Sequence, residues 1–144
     1  MSTHVLVPID RSECSTRALE FALKTYSEKR ITAITVTDPS DVYDTPAFES
    51  TSARSTEQRR QKHERRARTV LEDARELATD AGIDLETDHV IGGVSKTIID
   101  YADEHDVDHI VVGSHGRTGA SRILLGSIAE TVARRSPVPV TIVR

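Results

Sequence analysis

Ile110-Val111-Val112-Gly113-Ser114-His115-Gly116-Arg117-Thr118-Gly119-Ala120-Ser121-Arg122-Ile123-Leu124-Leu125-Gly126-Ser127 is the stretch whose reading decides the fold. Its head, Ile110-Val111-Val112, reads as a buried strand. The residues after Ser127 read as a helix with Ile128, Ala129, Val132 and Ala133 on one face. Between them come Gly113, two residues, Gly116, nine residues, and then Gly126-Ser127. A glycine-rich link from a buried strand to a helix start is a place where an α/β protein can hold phosphate. Backbone N–H groups point outward there, and the helix dipole favours an anion. A turn explains any one of these glycines equally well; the spaced set points to phosphate. The stretch is no Walker loop, since no Lys-Ser or Lys-Thr follows a glycine at that spacing, and no Gly-x-Gly-x-x-Gly occurs in the chain.

Outward from this stretch, strands and helices alternate. His4 to Ile9 reads as a first buried strand. Ser12 then caps a helix carrying Ala18, Leu19, Ala22, Leu23 and Tyr26 at helical spacing. Ile31 to Val36 is a second strand. Asp38 to about Ser55, with Pro39 and Pro46, reads as a long loop. A helix from about Thr56 to Ala81 places Ala67, Val70, Leu71, Ala74, Leu77, Ala78 and Ala81 on one face and stops at Gly82. Leu85 to Ile91 is a third strand, its Glu and Asp content suiting a sheet edge. Gly92-Gly93 turns into a helix capped by Ser95, with Ile98, Ile99 and Ala102 facing the core. Asp108 to Val112 and Val138 to Val143 are strands four and five. Such alternation implies an α/β fold with a parallel sheet and right-handed crossovers. Periodicity leaves the strand order open.

With 144 residues the chain fits a single domain, 1–144. No apolar run reaches about 18 residues, so no transmembrane helix is expected. The start of the chain enters a strand without a basic-then-apolar leader, which points to the cytoplasm. Cys14, the single cysteine, has no internal disulfide partner and reads as a small packed residue. A net charge of −4, no tryptophan and two phenylalanines argue against nucleic-acid binding. The six histidines show no zinc-ligand spacing.

The glycine spacing, the first strand ending at Asp10, and the closing Pro137-Val138-Pro139-Val140-Thr141-Ile142-Val143 together resemble the universal stress protein (UspA) family, in its ATP-binding branch with the G-2x-G-9x-G-S motif. The resemblance implies a three-layer sandwich, adenine nucleotide alpha hydrolase-like, with a five-stranded parallel sheet of order 3-2-1-4-5. Strands one and four then lie side by side at the switch point, where ligands bind. It also implies a site for ATP (or ADP or AMP). Pro8 and Ile9 wall the ribose and base, the Val36 backbone pairs with adenine, and Val112 and Gly113 lie near the ribose. Gly116, Gly126, Ser127 and the Ile128 amide line the phosphates, with His115 and Arg117 in the same loop. Lacking a Cβ, Gly113 would let a sugar lie against the backbone. The Ser127 hydroxyl adds a bond to phosphate or caps the helix.

Asp10 either caps the first helix or ends a strand, or it holds Mg²⁺ beside the phosphates or the nucleotide itself. Arg11 stands where many family members have glycine, and would cap the crevice, pair with phosphate or narrow the site. Arg117 and Arg122 could neutralise phosphate charge, or be solvated loop charges. From Arg54 to Arg68 six arginines and one lysine, with Glu57 and Glu64 among them, read as a solvated helix face or as a flap reaching the triphosphate or a partner.

The resemblance implies an ATP-binding regulator of the stress response, read by a protein partner. A slow ATPase or phosphotransferase and a ligand-free interaction module are the alternatives. A homodimer through strand 138–143 is expected, since an apolar edge strand left unpaired invites association.

Overall fold

The computed structural model describes residues 3–40, 53–115 and 124–144, with residues 53–55 described in backbone only. Five strands, β1 (His4–Pro8), β2 (Arg30–Thr37), β3 (Glu86–Ile91), β4 (His109–Gly113) and β5 (Val140–Val143), form one parallel sheet of order β3-β2-β1-β4-β5. Helices α1 (Glu13–Thr25), α2 (Ala53–Asp80), α3 (Val94–Glu104) and α4 (Ser127–Arg135) cover its faces. The expected sheet order is therefore observed, with β3 and β5 at the edges.

Side chains alternate across a strand, so each face has its own core. Val5, Val7 and Ile9 pack with Ala18, Leu19, Ala22 and Leu23 of α1 and with Leu71, Ala74 and Ala78 of α2. Leu6, Ile34, Ile110 and Val112 face the other way, against Ile98 and Ala102 of α3 and Ala129 and Val132 of α4.

The helix ends show how local chemistry positions these layers. Ser12 is the N-cap of α1, its hydroxyl accepting the Ser15 N–H at 3.2 Å. Gly82, at φ 73°, ends the turn after α2, and the Ile83 N–H reaches back to the Ala78 carbonyl at 2.9 Å. Ser95 is not a cap, contrary to expectation. α3 starts two residues earlier, at Val94, with Gly93 at its N-cap and the Thr97 N–H on the Gly93 carbonyl at 2.8 Å.

The expected core faces need trimming. Ala81 lies beyond α2 and is exposed, Ala133 is exposed, and Ile99 is half-buried while Tyr101 takes the buried place. The segment read as a loop is partly helical. Pro39 and Ser40 are in helix, with the Ser40 N–H on Asp38 Oδ1 at 2.9 Å, and α2 begins at Ala53. Residues 41–52 of that segment lie outside the described residues.

Pairing around β1 determines where the sheet opens. β1 pairs with β2 as far as Pro8 opposite Ile34, but with β4 only as far as Leu6 opposite Ile110. Beyond those residues the neighbours diverge, leaving a crevice at the carboxyl ends of the strands.

Candidate functional site

A cleft of about 440 Å³ occupies that crevice, a size suited to a small-molecule ligand. Pro8, Ile9, Asp10, Val36, Val112, Gly113, His115, Gly126, Ser127 and Ile128 all line it. Gly116, Arg117 and Arg122, the remaining loop candidates, lie outside the described residues.

One end of the cleft is apolar, with Ile34, Val36, Val94, Ile98 and Val112. Main-chain polarity adds an edge to it. In a parallel ladder the N–H and C=O of one residue point toward the same neighbouring strand. The Ile34 carbonyl accepts the Ile9 N–H at 2.8 Å, on the β1 side, and the Thr37 carbonyl accepts the Gly92 N–H at 3.0 Å, on the β3 side. Val36 has the parity of Ile34, so its N–H and C=O face β1 beyond the last paired residue. Among the described residues they have no backbone partner.

The lining also includes the start of α4. Gly126 is the N-cap of α4 and supplies no side-chain cap, and its own N–H is taken by the Ser114 carbonyl at 2.7 Å. The first intrahelical bond runs from the Glu130 N–H to the Gly126 carbonyl at 3.0 Å. The amides of Ser127, Ile128 and Ala129 are the orphan donors of the helix start and carry the positive end of its dipole. Ser127 is exposed, and its hydroxyl makes no cap. His115 Nδ1 lies 3.1 Å from Ser114 Oγ, while its Nε2 is buried with no hydrogen-bond partner among the described residues. A ligand oxygen there would satisfy it.

Asp10 is not the cap of the first helix, a place that Ser12 takes. Its Oδ1 accepts the Ser12 N–H at 2.7 Å, which shapes the turn into α1, and its Oδ2 takes no hydrogen bond from the described residues. A single free carboxylate oxygen beside an anion site suits Mg²⁺, which is commonly held by one or two carboxylates together with phosphate and water. Among the described residues no group of three or more His, Cys, Asp and Glu could hold a metal by itself.

Gly113 requires a correction of cause. A Cβ there would lie 2.7 Å from the Cys14 carbonyl carbon, 2.8 Å from its oxygen and 2.9 Å from its Cβ. The glycine therefore lets β4 pack on the start of α1, a requirement present before any sugar arrives.

Ser114, which lies behind the lining rather than in it, and His63 were not singled out in the sequence, and Arg66 was read only as one member of a basic run. Ser114 ties the site together: it is buried, its N–H donates to the Val143 carbonyl at 2.7 Å, and its hydroxyl lies 3.6 Å from Cys14 Sγ. His63 and Arg66 reach the cleft from α2 beside Ala67 and Val70. Their signal was available, as polar residues bordering an apolar stripe at three- and four-residue spacing.

Comparisons with known proteins agree with this architecture. Residues 1–144 match the model of the universal stress protein family. The chain is 30% identical over 142 residues to universal stress protein MJ0531 of Methanocaldococcus jannaschii, covering 97% of this chain and 81% of that one. Its fold is similar to the solved structure of MJ0577, with a TM-score of 0.80, 29% identity, and coverage of 99% of this chain and 96% of that one. A universal stress protein solved in complex with cAMP is 28% identical, with a TM-score of 0.70 and coverage of 99% and 97%. The sheet order and layers are thus those of the adenine nucleotide alpha hydrolase-like fold.

Proposed function

The chain belongs to the universal stress protein family, and on that premise we propose that its cleft binds ATP, with ADP and AMP as related ligands, and that occupancy regulates a stress response in the cytoplasm. One observation carries the proposal: the unpaired Val36 main chain and the uncapped start of α4 open into the same cleft. Adenine offers an acceptor at N1 and a donor at its amino group, which match the Val36 N–H and C=O. The ribose lies over Pro8, Ile9, Val112 and Gly113. The phosphates meet the Ser127 and Ile128 amides, His115 Nε2, and Gly116 and Arg117 of the loop. Asp10 would be the residue to hold a Mg²⁺ ion, which would supply screening of the phosphate charge. The relative bound to cAMP supports an adenine ligand.

The test is calorimetric titration of nucleotide-stripped protein with ATP and with GTP, each with Mg²⁺. Guanine presents a donor at N1 and an acceptor at O6, reversed against Val36. ATP should bind at micromolar concentration and GTP at least tenfold more weakly, since one mismatched polar pair costs more than about 1 kcal/mol. Equal affinities, or no binding of either, would refute it.

The protein acts as a homodimer through residues 138–143. β5 is the sheet edge, and its four residues are half-buried with only β4 beside them. Sedimentation at micromolar concentration should give a dimer, and Val140→Asp with Ile142→Asp a monomer; a monomeric wild-type chain would refute the pairing.

A further inference from the structure

We propose that Arg11 and Arg66 form a charge gate that makes the cleft select polyphosphate-bearing nucleotides over monophosphates and cyclic monophosphates. The proposal rests on the nucleotide reading of the cleft and names which nucleotide that site takes.

The two arginines arrive from different parts of the fold. Arg11 follows β1, in the turn held by the Ser12 N–H on Asp10 Oδ1, and Arg66 stands on α2. Both line the cleft, and among the described residues neither makes an ion pair. Two other arginines, of α1 and α2, are held by carboxylates instead. Arg60 of the same basic run is clasped by Glu57 and by Glu64, the latter at 2.6 Å, and Arg17 is paired with Glu13.

The rest of the lining leaves their charge unbalanced. Asp10 supplies the sole carboxylate among the described lining residues, whereas Arg11, Arg66, His63 and His115 supply basic groups and α4 adds its N-terminal dipole. Arg11 also borders a second groove of about 170 Å³, lined by Thr16, Leu19, Asp73 and Leu77.

Such a lining complements a polyanion. The α-phosphate is the only phosphate that AMP and cAMP possess, and the α4 amides suffice for one group. The β- and γ-phosphates carry further charge, which planar guanidinium groups recognise by paired N–H donors. Arg11 therefore adds a contact to the phosphate tail rather than closing the pocket.

The experiment measures Kd for ATP, ADP, AMP and cAMP, each with Mg²⁺, on wild type, Arg11→Gln, Arg66→Gln and the double variant. Circular dichroism and thermal melts confirm that each variant is folded. Wild type should bind ATP at least tenfold more tightly than cAMP. The double variant should lose about tenfold or more for ATP while AMP and cAMP change by less than about twofold, the scale of one charge-assisted contact. The ATP preference should also shrink as salt rises from low to physiological strength. Equal wild-type affinities for ATP and cAMP would overturn the gate and leave the nucleotide site standing. So would an ATP preference that survives in the folded double variant. Failure of all four nucleotides to bind wild type would overturn the site and the gate together.

Discussion

Gly113→Ala should destabilise the protein through packing alone. The new Cβ would sit 2.7 Å from the Cys14 carbonyl carbon and 2.8 Å from its oxygen, where carbon atoms pack comfortably at about 3.5–4.0 Å. Both atoms belong to the backbone, so no rotamer change relieves the contact and β4 must move off α1. Ser114, the next residue, is bonded to Val143, to Gly126 and to His115, which spreads the displacement into β5 and α4. Overpacking a tight core costs about 1–3 kcal/mol, and a clash with fixed atoms belongs at the upper end. For a domain of this length each kcal/mol lowers Tm by roughly 2–4 °C, so a fall of about 5–10 °C is expected in a thermal melt without nucleotide. Cys14→Ala in the same chain should not restore the loss, because it leaves every clashing atom in place. An unchanged melt combined with lost ATP affinity would refute the packing account and return Gly113 to a purely ligand-facing role.

Three further outcomes follow from named contacts. Ser12→Ala removes the hydroxyl that caps α1 and should cost about 1 kcal/mol in urea unfolding; a change below about 0.3 kcal/mol would contradict the cap. Burial lowers the His4 pKa from its ordinary 6.5, against the opposing pull of the His105 carbonyl, and burial likewise lowers that of His109. The unfolded chain then takes up protons at a higher pH than the native one. Stability from both groups is complete above about pH 6.5 and is lost as pH falls through the lowered native values. The urea midpoint should therefore drop between pH 7 and pH 5, less steeply in His4→Gln with His109→Gln, and equal slopes would count against burial as the cause. Asp10→Asn keeps an oxygen for the Ser12 N–H but removes the charge, so it should abolish the gain in ATP affinity produced by Mg²⁺; a gain of wild-type size would exclude Asp10 as a metal ligand.

Much of the fold was legible because its signals are local. Ser12 and Gly82 punctuate α1 and α2 through a side-chain bond and a positive φ, both of which leave a residue signature. The cap of α3 left none: Gly93 works through its carbonyl, so the nearby Ser95 attracted the assignment. Strand order was equally silent in the periodicity and came through the family resemblance.

The site divides in the same way. Glycine spacing exposed the start of α4, but not that the Gly126 N–H is already spent on Ser114, leaving Ser127 and Ile128 as the donors. The open edge at Val36 is a main-chain property that depends on where β1 stops pairing, and a valine in a strand carries no trace of it. Ser114 sat inside the quoted stretch yet looked like loop filler, because all its partners except His115 are 12 to 100 residues away. Arg66 blended into a basic helix and separates from its other arginines only by lining the cleft.

The most direct test of the central claim compares Ser127→Pro with Ser127→Ala. Proline at the first helical position keeps the helix and removes one phosphate-facing N–H. Gly126, at φ −65° and ψ 157°, already has the backbone that precedes a proline. If the start of α4 holds the phosphates, Ser127→Pro should remain folded and lose about tenfold to a hundredfold in ATP affinity, the range of a charge-assisted hydrogen bond. Ser127→Ala, which keeps the amide, should stay within about threefold of wild type, since only a hydroxyl contact is lost. A folded Ser127→Pro that binds ATP as tightly as wild type would contradict the account.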